Sequence, residues 1–308
     1  MRTERTRVER RRVDGVLLLD KPSGITSNAA LQRVKRAYRA DKAGHTGTLD
    51  PLASGLLPIC FGEATKFAQF LLDAPKRYRA TIRFGVTTAT QDAAGTVQAT
   101  APVAFGREAL VAALRAFVGR IEQLPPAYSA LKHAGRPLYS YARAGIEVAK
   151  SPRVVDILAL DLVEWSEPDA VVDVACSKGT YVRTLAADLG TALGCGAHLA
   201  ALRRTATGGF DVTDAVALAQ IEAASADARE EWLRPTSALL AALPALELDE
   251  ETSQSFRHGR PVLAQAVGEG ACAVYAGGKL LGVARVEGGF AHPRRLVSTA
   301  PEHADILE

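Results

Sequence analysis

Residues 44–58 read Gly-His-Thr-Gly-Thr-Leu-Asp-Pro-Leu-Ala-Ser-Gly-Leu-Leu-Pro and hold one carboxylate, Asp50, and one imidazole, His45, among the turn-formers Gly44, Gly47, Pro51 and Gly55. Pro51 removes a backbone donor and pushes Asp50 away from helical geometry toward an extended one. Gly44 and Gly47 tolerate positive φ and carry no side chain where a ligand's backbone approaches. A carboxylate fixed on a stiff loop between apolar flanks suits an acid, a base or a nucleophile. The competing reading is a capping aspartate in an ordinary turn, since Asp is a preferred turn residue. A second charged candidate lies far along the chain. Arg183 follows the turn Ser177-Lys178-Gly179-Thr180 and falls in the first turn of a helix expected over about 181–193. The helix dipole does not favour a cation there. A carboxylate such as Asp50 would offset that cost, and the pair would keep the acid ionised and aimed.

The elements that must position these groups are legible in outline. Residues 16–19 form a short buried strand, followed by the turn Asp20-Lys21-Pro22-Ser23-Gly24, where Lys21 either faces the Asp50 loop or caps the turn. Thr26 or Ser27 caps a helix to about Tyr38, with Leu31, Val34 and Tyr38 inward and Arg33, Arg36 and Arg39 on the other face. That charged face is either solvated or in contact with phosphates. Residues 56–61 form a strand, and a helix runs from about 63 to 72. Over 76–84 the side chains alternate, placing Tyr78, Ala80, Ile82 and Phe84 on one side and Arg77, Arg79, Thr81 and Arg83 on the other. A polar, Gly-ended loop covers 87–95, and 107–118 is an amphipathic helix ended by Pro125-Pro126. Between 128 and 148, Lys132, His133, Arg136 and Arg143 interleave with three tyrosines. Such interleaving suits single-stranded or looped RNA, against the alternative of a peripheral hairpin with a solvated face. Strands follow over 154–162 and 170–176. Residues 222–245 are Ala-rich and linker-like, and 246–304 hold short β-like runs broken by Gly277-Gly278 and Gly288-Gly289, as in a compact β-barrel module.

Composition sets outer bounds. With 308 residues and 48% hydrophobic content the chain can bury a sizeable core, as one large domain and a small one. No apolar run reaches the roughly 18 residues of a membrane span, and no apolar signal-type segment precedes residue 15. Cys60, Cys176, Cys195 and Cys272 lie far apart, and the lone Cys195-x-x-His198 lacks the second pair a zinc site needs, so no metal is expected. Unpaired thiols point to the cell interior. The formal charge is +3, yet residues 1–12 carry six arginines against two glutamates, so the remaining 296 residues sum to −1. Those twelve residues read as a disordered basic arm, and clustering rather than net charge is what bears on nucleic acid.

The chain resembles the TruB family of tRNA pseudouridine synthases. The resemblance is carried in order by residues 15–27 (Gly-Val-Leu-Leu-Leu-Asp-Lys-Pro-Ser-Gly-Ile-Thr-Ser), residues 44–58, Lys-Arg-Tyr-Arg at 76–79 and Tyr-Ser-Ala-Leu-Lys at 128–132. Cys-Ser-Lys-Gly-Thr-Tyr-Val-Arg at 176–183 and Leu-Arg-Arg at 202–204 complete the series, which spans about 13 to 245 and is far more specific than any single short pattern. It implies an α+β fold: a catalytic domain over 13–245 with a central mixed, largely antiparallel sheet flanked by helices, and an RNA-gripping insertion at about 126–152. A small C-terminal β-barrel over 246–308 is similar, around His258-Gly259-Arg260-Pro261, to the PUA RNA-binding domain.

The implied activity is isomerisation of uridine to pseudouridine at position 55 in the T loop of tRNA, by base flipping, with some help to tRNA folding. Asp50 would be the nucleophile or the anion that shields a positive sugar. By the same resemblance Tyr78 stacks on the base, Arg183 orients Asp50, and His45 fills the space the nucleotide leaves. Tyr181 walls the pocket, Leu202 lies against the base, Lys21 supports the catalytic loop, and Lys132, Arg136 and Arg143 contact RNA. The 87–95 loop lies near the cleft. The reaction is redox-neutral and moves no phosphate, so neither cofactor nor metal is called for. The expected partner is the tRNA T arm, with the protein a cytoplasmic monomer that engages no membrane. Three alternatives stand beside this reading: a guide-dependent synthase acting on another RNA, a tRNA-folding chaperone, and a hydrolytic glycosidase with Asp92 as second carboxylate.

Overall fold

Two sheets organise the chain, and the loop carrying Asp50 connects strands of the larger one. The computed structural model describes residues 9–129 and 131–298, with the side chains of Lys132, His133, Pro137, Tyr139 and Arg143 outside that description. In chain order the first elements are β1 (Gly15–Lys21), α1 (Ser27–Ala37), β2 (Ala43–His45), β3 (Ser54–Phe61), α2 (Ala68–Asp73), β4 (Lys76–Phe84), β5 (Val86–Thr88) and β6 (Val97–Thr100). Next come α3 (Arg107–Ala116), β7 (Gly119–Gln123), β8 (Lys132–His133), β9 (Arg136–Pro137), α4 (Leu138–Arg143), β10 (Arg153–Ser166) and β11 (Asp169–Cys176). Then follow α5 (Val182–Ala192), β12 (Ala197–Thr207), β13 (Phe210–Asp211), β14 (Val216–Ala217), α6 (Leu218–Ala223) and α7 (Ala226–Glu231). The last are β15 (Ala245–Leu248), α8 (Glu250–Arg257), β16 (Val262–Leu263), β17 (Gly270–Ala276), β18 (Lys279–Glu287) and β19 (Phe290–Leu296).

The large sheet runs β14-β1-β3-β12-β4-β11-β10-β7, with β2 on β3 and β13 on β12. Only the β1/β14 and β3/β12 pairings are parallel, so the sheet is mixed and largely antiparallel. β4 sits near its centre with Ala80, Ile82 and Phe84 buried on one face. On the other face Arg79 and Arg83 each grip a cross-strand aspartate, Asp173 and Asp169, through Nε and a terminal nitrogen. The alternation expected over 76–84 is the alternation found. α1 starts where Thr26 Oγ1 accepts the Ala29 N–H, and it buries Ala30, Leu31 and Val34.

Three expectations are corrected. The helix over 63–72 is a 3₁₀ turn, Gly62–Phe67, running into the short α2. Thr87 and Thr88 of the expected 87–95 loop belong to β5, which pairs with β6. Residues 222–245 are no linker: the end of α6, α7 and a 3₁₀ turn pack on the large domain, and Leu239 and Leu240 are buried. Arg234 and Val16 exchange backbone hydrogen bonds at 2.9 Å. Abundant alanine hid a few well-spaced large apolar residues that carry the packing.

The small sheet runs β15-β17-β18-β19-β16, a half-barrel whose core includes the fully buried Phe256 of α8. It is docked, since Ala273 and Val283 share one core with Val16, Leu18, Leu56, Phe67 and Leu240 of the large domain. Among the described residues no helix is long and apolar enough to cross a membrane.

Candidate active site

The loop between β2 and β3 is fixed from several sides. Ser27 Oγ accepts the Leu49 N–H at 2.8 Å and donates to the Leu49 carbonyl at 2.9 Å. Gly24 N–H donates to the Pro51 carbonyl at 2.7 Å, tying the β1–α1 turn to the proline that stiffens the loop. Gly55, at φ +98°, lies so close to β12 that a Cβ would stand 2.3 Å from the Arg204 carbonyl oxygen. No other residue fits there without moving a strand.

Arg183 reaches this loop from the first turn of α5. Its Nε lies 2.9 Å from Asp50 Oδ2, while its terminal nitrogens donate to the carbonyls of Thr90 at 3.1 Å and Tyr128 at 2.9 Å. The guanidinium side chain is 5% exposed and that of Asp50 41%, so the cation is buried and the carboxylate opens onto a pocket. Asp92 stands behind the pair with Oδ2 3.7 Å from Arg183 Nε. Its Oδ1 accepts from Thr90 Oγ1 at 2.5 Å and from Ala94 N–H at 3.1 Å. The pairing expected between Arg183 and Asp50 is therefore present, but its electrostatic outcome differs from the expectation. The Asp50 carboxyl is pushed above its ordinary value, because removal from water and the like charge of Asp92 outweigh Arg183 and Lys21.

The pocket, of about 290 Å³, is lined by Asp50, Tyr78, Tyr181, Arg183 and Leu202, five of the residues singled out from sequence, and by Lys76 and Arg204. Tyr78 is half-buried on β4, and burial raises its hydroxyl above the usual tyrosine value while Arg204 draws it back in part. Arg204 is the cross-strand partner of Tyr78 and is 1% exposed. Its Nε donates to the Leu56 carbonyl at 2.7 Å and a terminal nitrogen to Gly47 at 3.0 Å. Among the described residues it has no carboxylate partner within ion-pair distance, so it is a buried positive charge beneath the pocket. Lys76, also buried, donates to the carbonyls of Leu71, Leu72 and Ala74 at the end of α2, and burial lowers its ammonium to about 8. Tyr181 is set by Gln123, whose amide oxygen accepts its N–H at 3.0 Å and whose amide nitrogen donates to its carbonyl at 3.3 Å.

Two candidates for the pocket itself, Lys21 and His45, stand outside its lining. Lys21 is fully buried, donating to the carbonyls of Pro22 and Ile25 at 2.8 Å each, with its ammonium lowered by burial to about 8. It holds the turn that holds Pro51. His45 ends β2, its Nδ1 buried without a partner, and burial together with Arg204 lowers its basicity. Arg136 is exposed on the β8–β9 hairpin, 5.4 Å over the Tyr141 ring, whereas the Lys132 and Arg143 side chains lie outside the described residues. Sequence reading missed Arg204 and Lys76, although both lie inside quoted motifs. It named Asp92 only as a glycosidase's second carboxylate. Enclosed by Thr90, Ala94 and Arg183, and not lining the pocket, Asp92 cannot flank a bond across from Asp50. Among the described residues no group of three or more His, Cys, Asp or Glu gathers as metal ligands.

The arrangement presents one carboxylate, held by a buried guanidinium, to a pocket with an aromatic wall and buried positive charge. It suits stabilising or attacking an electrophilic carbon beside a departing anion. Residues 35–182 match the TruB family pseudouridylate synthase N-terminal domain, 183–243 the tRNA pseudouridylate synthase B C-terminal domain, and 244–297 the pseudouridine synthase II TruB C-terminal domain. The chain is 59% identical to tRNA pseudouridine synthase B of Thiobacillus denitrificans over 94% of its length and 98% of that protein. It is 53% identical to the protein of the same name from an Azoarcus species, over 95% and 98%. A solved Cbf5-Nop10-Gar1 complex contains a chain of like fold, with TM-score 0.72 and 24% identity over 92% of this chain and 84% of that one.

Proposed function

The chain belongs to the TruB family of pseudouridine synthases, and from that premise we propose that it isomerises uridine to pseudouridine at position 55 in the T loop of tRNA. The observation that carries the reading is the 2.9 Å contact of a buried Arg183 with a pocket-facing Asp50. The N1–C1′ bond is out of reach inside a stacked loop, so the nucleotide turns out into the pocket at a cost of roughly a few kcal/mol. The bonding pair leaves with the base, and Asp50 meets the positive character at C1′ as nucleophile or as counter-anion. The base turns over, C5 bonds to C1′, C5 loses its proton and N1 gains one. Either role needs Asp50 ionised, and Arg183 keeps its carboxylate aimed.

Tyr78 gives the base a stacking surface, worth roughly 1–3 kcal/mol, and burial raises its hydroxyl above the ordinary tyrosine value. Leu202 and Tyr181 close the base in. His45 occupies the space vacated by the everted nucleotide, and Lys21 supports the loop through its turn. Lys132, Arg136 and Arg143 of the 126–152 insertion grip the T arm. The protein acts as a cytoplasmic monomer. The test is Asp50→Asn, read by tritium release from tRNA labelled at uridine C5 and by tRNA binding. The expected result is no pseudouridine with binding within a few-fold of wild type. Turnover by the variant would overturn the assignment.

A further inference from the structure

A second cationic feature lies away from the Asp50 pocket, where the N-terminal segment meets the end of α1. Arg11 N–H donates to the Arg39 carbonyl at 2.8 Å and Asp41 N–H to the Arg11 carbonyl at 3.1 Å, and Arg11 and Ala40 form a parallel bridge. Arg11 is itself used up, bonded to the Tyr38 carbonyl and paired with Glu230. Beside it opens a groove of about 730 Å³ whose walls carry Arg10, Lys35, Arg36 and Arg39 against one carboxylate, Glu9. Among the described residues none of these four cations has an ion-pair partner, and Glu222, which Arg36 also feels, is held through both oxygens by Arg33.

Lys35 and Arg36 by themselves say little, since cations in the last turn of a helix are favoured by its dipole. Arg39 says more. It follows the helix cap Tyr38 with φ +53°, the left-handed position that glycine takes freely and that costs another residue about 1–2 kcal/mol. Among the described residues its exposed side chain makes one hydrogen bond, from Nε to the Glu9 carbonyl at 3.0 Å. The end of α1 requires this left-handed backbone, which is closed by Arg39 N–H to the Arg36 carbonyl and Ala40 N–H to the Lys35 carbonyl. A glycine would supply it without the cost, so an exposed arginine at that position in a cationic groove points to a ligand. The place fits an RNA stem. α1 is held to the catalytic loop at its first residue, Ser27, and its 11 residues reach the groove about 16 Å away, roughly five steps of duplex phosphate.

We infer that the groove between residues 9–11 and the end of α1 binds backbone phosphates of the tRNA substrate, and that Arg39 lowers fold stability in return for RNA affinity. The inference rests on the reading of the substrate as tRNA. Arg39→Gly and Lys35→Ala/Arg36→Ala, made in the full chain, test it through thermal melting, affinity for unmodified tRNA over a potassium chloride series, and single-turnover pseudouridine formation at saturating tRNA. The expected Arg39→Gly protein melts above wild type yet binds tRNA roughly threefold more weakly, with its log–log salt slope shallower by about 0.9. The double variant loses about 1.8 of slope, and both form pseudouridine at saturation within twofold of wild type. Unchanged affinity and slope in both variants would remove the surface, and a melting temperature at or below wild type would remove the trade. Absence of pseudouridine with the wild-type protein would instead sink the proposed activity, leaving the binding result to be judged separately.

Discussion

Two regions of the large domain hold an arginine against an aspartate at nearly equal distance, and they do different things. On the outer face of β4, Arg79 and Asp173 meet at 2.8 Å with side chains 54% and 44% exposed. At the pocket, Arg183 and Asp50 meet at 2.9 Å with exposures of 5% and 41%. Water screens the first pair, so it adds little beyond cross-strand register. The second has a cation that cannot return to water and a carboxylate that burial and Asp92 push above its ordinary value. Distance alone therefore says nothing about whether an ion pair is ornament or machinery; the surroundings decide.

The contrast can be broken most forcefully at Arg183. Arg183→Met leaves Asp50 and Asp92 without their shared cation, and the Asp92 side chain, 9% exposed, is then a buried carboxylate that has lost its cation, at a cost of about 3–5 kcal/mol. A fall in single-turnover pseudouridine formation of at least about a hundredfold is expected, against less than twofold for Arg79→Met on the outer face. Equal rates for the two variants would erase the distinction. A smaller effect is expected at Arg204, the buried cation that joins Tyr78 to the catalytic loop. Arg204→Gln loses charge-assisted hydrogen bonds worth about 1.5–3 kcal/mol each, and should slow turnover roughly tenfold or more while lowering the melting temperature. Arg204→Lys, which keeps the charge, should recover part of the rate; if it recovers stability but no rate, charge is not what Arg204 supplies.

The smallest and most diagnostic change is in pH dependence. Turnover needs Asp50 ionised, and its carboxyl lies above the ordinary value of 3.8, so activity should fall on the acid side at a higher pH than a free aspartate would give. Asp92→Asn removes one of the causes that raise it. The acid limb of the single-turnover rate should then move to lower pH, even if the plateau falls because Arg183 is less well held. A limb that stays put, or moves up, would mean that Asp92 does not act on Asp50 through charge.

Much of this site could be read from the residues in order. Pro51 after Asp50, the cation in the first turn of α5 and the two-residue alternation of β4 are local facts of stereochemistry, and the structure keeps all three. Less visible was the use of buried cations. Arg203 and Arg204 are neighbours in one motif, yet Arg203 pairs with Asp20 and stays partly exposed, while Arg204 turns inward to Leu56 and Gly47. Nothing local separates them beyond strand parity, and parity means little until the inner face is known. The stretch 222–245 misled for a related reason, since its packing depends on a few apolar residues whose partners lie on β1 and β3.

Sequence alone determined that a carboxylate would sit on a proline-stiffened loop and that an arginine some 130 residues later would want an acid, because backbone sterics and the helix dipole act within a few residues. Only the tertiary structure decided that Asp92 stands behind the Asp50–Arg183 pair, that the proton affinity of Asp50 rises rather than falls, and that Arg204 is the buried charge without a carboxylate partner beneath the pocket. Those outcomes depend on desolvation and on register between β3, β4 and β12, which bring together groups that the chain itself keeps far apart.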